Sequence, residues 1–219
     1  ADDMKKDLDA RREMLNLADV VFLCLPDAAA KEAVTLCKNP NTVIIDASTA
    51  HRTADGWAYG FPELSESHLE KVKSSKRIAV PGCHASGFIA LVAPLIAADL
   101  LDKDTFLTCH SITGYSGGGK KMIADYESED RDRLLDAPRQ YAITQQHKHL
   151  KEMQAITGLK NAPVFCPIVA DFYSGMTVTV PLFASQLKGG KTAEDIKKLY
   201  AEKYNTEIVS YCESVDNGG

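Results

Sequence analysis

Two apolar runs, set one helix apart, constrain this chain more than any other feature. The first is Ala18-Asp19-Val20-Val21-Phe22-Leu23-Cys24-Leu25-Pro26; the second is Thr42-Val43-Ile44-Ile45-Asp46. Neither alternates polar with apolar residues, so each reads as a strand buried on both faces of a parallel sheet. Between them, Ala28 to Lys38 reads as a helix with Asp27 as its N-cap, and Asn39-Pro40-Asn41 as a turn. Strand, helix and strand at this spacing form the unit of a doubly wound α/β sheet. Ligands on such sheets bind at the carboxyl ends of the strands, here Leu25-Pro26-Asp27 and Asp46-Ala47-Ser48-Thr49.

The seven residues Pro81-Gly82-Cys83-His84-Ala85-Ser86-Gly87 join a β-like run, Arg77 to Val80, to a long apolar helix-like run from Phe88 to Ala98. Pro81 and Gly82 end the strand and turn the chain. Cys83 then falls at or just before the first helical turn, where unpaired N–H groups and the positive end of the helix dipole point. That is the setting of a nucleophilic cysteine, and the coincidence of strand, turn and helix start favours it over a small buried hydrophobe.

The remainder is less regular. Ala1 to Leu17 reads as a charged surface helix, an unusual opening that points to a chain beginning inside a domain. Ala50 to Ser75 reads as a long connection with a short helix over Glu66 to Lys73. Beyond Cys83 the pattern predicts a strand over Thr105 to Thr113, a helix over Lys120 to Leu135 and another over Thr144 to Thr157. Strands follow at Val164 to Asp171 and Met176 to Phe183, then a helix over Thr192 to Tyr204 and a last strand over Glu207 to Glu213. Two domains result: a partial dinucleotide-binding domain over 1–82 and an α+β catalytic and dimerisation domain over 83–219.

Charge and cysteine usage exclude several function classes. The net charge is −5 and no long Lys/Arg run occurs, which excludes a nucleic-acid or anionic-membrane partner. No apolar run is long enough to span a bilayer. The six cysteines are scattered without a C-x-x-C pair, so neither a zinc site nor a disulfide framework is expected. Reduced thiols, and no visible signal peptide, predict a cytoplasmic protein.

Three further groups carry possible chemistry. Gly114-Tyr115-Ser116-Gly117-Gly118-Gly119 lies between a strand and a helix, as an anion cradle does, or is a turn that needs glycine. It has neither Walker spacing nor the G-x-G-x-x-G fingerprint. His147 and His149 stand at i, i+2, so on a helix they face apart and share no metal, and only His149 is on the face of Glu152. They read as a solvated face, or, beside a reactive Cys, as proton handlers. Arg52 follows a strand end and reads as an anion ligand or as one half of a surface ion pair.

Taken in order, Asp46 to Arg52 (DASTAHR), Tyr59 to Leu64 (YGFPEL), Pro81-Gly82-Cys83, Tyr115 to Lys120 (YSGGGK) and His147-Lys148-His149 resemble the N-acetyl-γ-glutamyl-phosphate reductases of arginine biosynthesis, in their shorter branch. The resemblance spans nearly the whole chain. It implies attack of Cys83 on an acyl phosphate, release of phosphate, hydride from NADPH onto the thioester, and collapse to a semialdehyde. It also implies His147 as acid/base, with Arg52, His149, Glu152, Ser116 and Gly117 binding substrate and Leu25, Pro26, Ser48, Gly118 and Gly119 contacting NADP. No metal is implied; the partners are a small acyl phosphate and further copies of the chain, as a homodimer or homotetramer. Aspartate-semialdehyde dehydrogenase is the nearest rival in chemistry, and a non-catalytic scaffold of the same fold is the rival outside enzymes.

The same family opens with a glycine-rich loop that holds the cofactor pyrophosphate at a helix N-terminus, and closes with a return to the cofactor domain. The chain has neither, so it reads as an internal part of such a protein. The expectation is partial folding without tight NADPH binding or turnover. Calorimetric titration of the chain with NADPH tests this: weak or no heat is expected, and binding as tight as that of a full-length reductase contradicts it.

Overall fold

A computed structural model describes residue 4 and residues 7–213. The chain divides into two compact units, 1–82 and 83–219.

In the first unit, α1 (Leu8–Leu17) is capped by Asp7, whose carboxylate accepts the Ala10 N–H at 2.7 Å. β1 (Val20–Leu23), α2 (Asp27–Leu36) and β2 (Val43–Asp46) follow. Then come β3 (Ala58–Tyr59), α3 (Glu66–Ser74) and β4 (Arg77–Ala79). The strands lie in the order β1-β2-β4-β3, and all pairs are parallel. Ala30 and Ala33 of α2 are small enough to seat the helix closely on Leu23 and Ile44.

Three expectations change in this unit. β1 is an edge strand among the described residues, and Phe22 is 70% exposed, so it is buried on one face only. Asp27 is not the N-cap of α2; Pro26 holds that place. The Asp27 carboxylate instead accepts the Thr49 N–H at 2.9 Å and the Thr49 hydroxyl, tying the turn after β1 to the loop after β2. The long connection contains β3, which at two residues is too short to leave a periodic signal.

The second unit opens with α4 (Cys83–Ala97), apolar on all sides, with Phe88, Ile89, Val92 and Leu95 essentially without exposure. β5 (Thr108–Gly114), α5 (Gly119–Glu127), β6 (Arg139–Gln140), α6 (His149–Thr157), β7 (Val164–Ala170), β8 (Met176–Thr179) and α7 (Ala193–Lys203) complete it. The sheet order is β6-β7-β5-β8, with only β5–β7 parallel. Alternation along β5 buries Cys109, Ser111 and Thr113 on one face and leaves His110 and Ile112 on the other. At Gly87 a Cβ would stand 2.5 Å from the Val178 side chain, so glycine is what lets α4 pass this close to β8.

Pro94 lies inside α4 and has no N–H to give to the carbonyl four residues back, Ala90. The Tyr204 hydroxyl, just beyond α7, donates to that carbonyl at 2.7 Å, and Tyr200 donates to the neighbouring Leu91 carbonyl at 2.5 Å. The helix interruption is thus satisfied from a second helix.

The longer helices expected from the sequence are shortened, and the last expected strand does not form. The helix expected over 120–135 ends at Glu127; Arg131 then pins the chain with Asp136, Asp171 and the Tyr126 carbonyl, and a separate 3₁₀ turn spans Arg133–Asp136. The helix expected from Thr144 starts only at His149. Glu207 to Glu213 is not a strand: only one bridge, Asn205 with Ser210, forms there.

Tyr204→Phe should lower stability by about 1 kcal/mol, the net worth of one hydrogen bond, as read by urea unfolding. In a Pro94→Ala background, where residue 94 supplies the missing N–H, the same change should cost clearly less. Equal costs in both backgrounds would contradict this account of the two tyrosines.

Candidate active site

Cys83 is the first residue of α4, so its position is fixed by the burial of that helix while its own side chain stays exposed. It lines a cavity of about 260 Å³ with His84, Thr113, Gly114, Gly117, Gly118, Met122, Tyr141, His147, Lys148 and Val169. Cys109 offers a contrast within the same unit: burial, and then the charge of Cys166, push its thiol up to about 12, which leaves it inert.

The next residue along α4, His84, is buried and borders the same cavity. Its Nδ1 lies 2.6 Å from Ser111 Oγ on β5, and its Nε2 lies 2.7 Å from the Tyr141 hydroxyl. Burial, and then the charge of His147, lower its pKa to about 4, so it is neutral near pH 7.

His147 reaches the cavity because its segment is not helical. Ala142 and Gln145 have φ of 49° and 56°. Gln145 uses its side-chain amide as a strand would use its backbone: Oε1 accepts the Phe165 N–H at 2.7 Å and Nε2 donates to the Phe165 carbonyl at 2.8 Å. The residues that follow are thereby carried over the cavity. His147 Nδ1 accepts the His149 N–H at 3.2 Å, and its ring stands edge-on to Phe165 at 5.1 Å. Burial, and then the Lys148 charge, hold its pKa below the ordinary 6.5. His149 and Glu152 are buried on α6 and are not among the cavity lining; the His149 ring backs that of His147 at 4.6 Å.

In the glycine loop, Gly117 and Gly118 line the cavity, whereas Ser116 and Gly119 do not. The amides of Gly114, Tyr115 and Ser116 donate to the carbonyls of Gly175, Phe172 and Tyr173, so this part of the loop is a strand-end clasp and not an open anion cradle. A side chain at Gly114 is excluded, since a Cβ there would meet the Phe172 carbonyl oxygen at 2.6 Å.

The other predicted residues belong to the first unit. Leu25 and Pro26 are exposed beyond β1. Ser48 is buried beyond β2: its hydroxyl donates to Asp46 Oδ2 at 2.8 Å and its N–H to Oδ1 at 2.9 Å. His51 Nδ1 joins the same carboxylate at 2.6 Å and its ring stacks on Trp57 at 4.0 Å. Arg52 donates from Nε to the Val80 carbonyl at 2.8 Å and from a terminal nitrogen to that of Ala47 at 3.2 Å. The set partly fits a dinucleotide: Leu25 and Pro26 present an apolar rim at the carboxyl edge of a parallel sheet, and the buried Asp46 cluster stiffens the adjoining loop.

Tyr141, His84 and Lys148, with Thr113, Met122 and Val169, are the cavity residues that sequence reasoning passed over. His84 and Lys148 sat inside motifs read for their neighbours, and Tyr141 carries no local signal.

Comparison with known proteins gives the family of the chain. The family model for the semialdehyde dehydrogenase dimerisation domain matches residues 83–215, and that for the NAD binding domain of the same enzymes matches residues 3–72. The chain belongs to the semialdehyde dehydrogenase family. It is 45% identical over 200 residues to the N-acetyl-gamma-glutamyl-phosphate reductase of Chelativorans sp., covering 91% of this chain and 64% of that protein. To the enzyme of the same name from Trichormus variabilis it is 43% identical over 207 residues, covering 93% of this chain and 64% of that protein. The chain thus spans just under two thirds of the length of these relatives. In fold it is similar to aspartate semialdehyde dehydrogenase from Francisella tularensis, with a TM-score of 0.63 at 15% identity over 86% of this chain and 64% of that one. The Candida albicans enzyme, solved with NADP, gives 0.56 at 17% identity over 85% and 56%.

Burial of neutral His84 makes stability pH-dependent. Unfolded, the imidazole titrates near 6.5; folded, at about 4. Its contribution is fully present above pH 6.5 and is lost as the pH falls towards 4. The unfolding midpoint should fall across that window, and His84→Gln should flatten the fall. An unchanged slope in the variant would contradict the assignment.

Proposed function

We propose that the protein is an NADPH-dependent reductase of N-acetyl-γ-glutamyl phosphate, forming the semialdehyde and phosphate through a thioester on Cys83. One observation carries the reading: an exposed cysteine at a helix start shares a cavity with a histidine held neutral near pH 7. The names borne by relatives above 40% identity support the substrate.

Neutral His147 takes the proton of the Cys83 thiol. The sulfur attacks the acyl carbon, the bond from that carbon to the phosphate oxygen breaks, and phosphate leaves with the electron pair. NADPH, when bound, supplies hydride to the thioester carbon. The carbon–sulfur bond then breaks, its electron pair returns to sulfur as the aldehyde carbonyl re-forms, and His147 hands back the proton. Lys148 adds positive charge at the cavity wall, and His149 and Glu152 orient the His147 segment from behind. Gly117, with Ser116 fixing the loop that carries it, is assigned to the substrate. Arg52 is assigned to its phosphate, its direction set by the two carbonyls it already holds. Leu25, Pro26, Ser48, Gly118 and Gly119 are assigned to the cofactor by the resemblance.

The open face of the second unit's sheet, with Ile112 43% exposed, supports assembly with further copies, in keeping with the name of the matching domain. No helix among the described residues is long and apolar enough to cross a membrane. We place the enzyme in the cytoplasm.

In the complete enzyme, followed by absorbance of reduced nicotinamide, Cys83→Ser should abolish turnover and His147→Asn should lower it by about 10²–10⁴-fold. Because neutral His147 is the active form and its pKa is depressed, the acid limb of the rate should lie below pH 6.5. Lys148→Met removes the smaller of the two causes and should move that limb upward. Retained activity in Cys83→Ser would remove Cys83 from the mechanism, and turnover of aspartyl phosphate instead would overturn the substrate.

A further inference from the structure

Ser111 is fully buried, and its hydroxyl meets His84 Nδ1 at 2.6 Å as its hydrogen-bond partner. A buried hydroxyl proton needs an acceptor, so Nδ1 accepts it. His84 is neutral and carries one ring proton, which must then sit on Nε2. Nε2–H donates to the Tyr141 oxygen at 2.7 Å. The phenol's own proton is therefore not spent on the imidazole. It is left to point into the cavity that Tyr141 shares with Cys83. The far end of the same residue is also fixed, by the Tyr141 N–H to the Pro167 carbonyl at 3.1 Å. Burial, and then the charge of Cys83, push the Tyr141 hydroxyl up to about 12, so it remains a donor throughout the working range.

We propose that His84 is a positioning residue: tied to Ser111 on one side, it holds the Tyr141 oxygen from the other, so that the Tyr141 O–H donates to the charged sulfur of Cys83. The inference rests on reading Cys83 as the nucleophile. It assigns a purpose to the buried residue that follows it. The titratable groups that line the cavity with Cys83 are His84, Tyr141, His147 and Lys148; of these Tyr141 is the uncharged donor that another side chain aims.

The test is residue-resolved iodoacetamide labelling of the chain from pH 6 to 9, which needs no substrate. Exposed Cys24 is the internal reference, and buried Cys109 reports loss of fold. Tyr141→Phe should slow Cys83 relative to Cys24 at pH 7 by about threefold to tenfold and move the half-maximal pH upward, since a donor that stabilises thiolate raises its population more than it blunts its reactivity. His84→Asn keeps an atom near Ser111 but cannot reach Tyr141, and should act equally. The double variant should be no slower than either single one. His84→Gln, whose amide N–H can take the place of Nε2–H, should recover most of the rate. Wild-type labelling in Tyr141→Phe, or effects that multiply in the double variant, would overturn the proposal. So would nitrogen-15 shifts that put the His84 proton on Nδ1. Should His84→Asn expose Cys109, Tyr141→Phe decides alone. A chain that labels in the expected pattern, in an enzyme that fails to reduce the acyl phosphate, would overturn the reductase reading and leave the His84 assignment standing.

Discussion

The burial of α4 is the constraint on which the second unit depends. A group on a helix start keeps its place only if that start does not move, and α4 is anchored along a fully buried face. Phe88, Ile89, Val92 and Leu95 fill its core-facing surface, and Gly87 lets it approach β8 to a distance that a methyl group would forbid. The break that Pro94 introduces is closed by two tyrosine hydroxyls from around α7. At the Cys83 end, His84 joins the helix to β5 and to the Tyr141 segment. A helix this apolar has no freedom to slide, because each fully buried side chain is worth roughly 1.5–3 kcal/mol in place.

Much of this was readable from residue order. Continuous apolar runs gave the parallel strands, and the Pro81-Gly82-Cys83 turn gave the helix start, because both signals are local and strong. Three of the misreadings share a cause: side chains doing the work of backbone. Gln145 pairs with β7 through its amide, so Thr144 to Lys148 cannot be helical, though their composition allows it. Asp27 serves Thr49 instead of capping its own helix. Arg131 ends α5 by gathering carboxylates forty and five residues away. None of these partners can be named from a window of sequence, since each lies far along the chain or in a competing local role.

The shift of His147 out of its expected helix changes what the pair of imidazoles does. On one helix they would have faced apart. With His147 in the preceding turn, their rings come within 4.6 Å, one on the cavity wall and one behind it. In the first unit, Asp46 plays a comparable organising part: buried, it collects Ser48 and His51, and Trp57 covers the imidazole. A buried carboxylate needs several donors to be tolerated, and here those donors shape the loop at the carboxyl end of β2.

The central claim is that Cys83 carries the acyl group. The complete enzyme, mixed with the acyl phosphate and no nicotinamide, then quenched and digested, tests it most directly. The account predicts one acylated peptide, containing Cys83, whose label disappears when NADPH is added before the quench. An acyl group on any other side chain, or turnover with Cys83 never acylated, would contradict it.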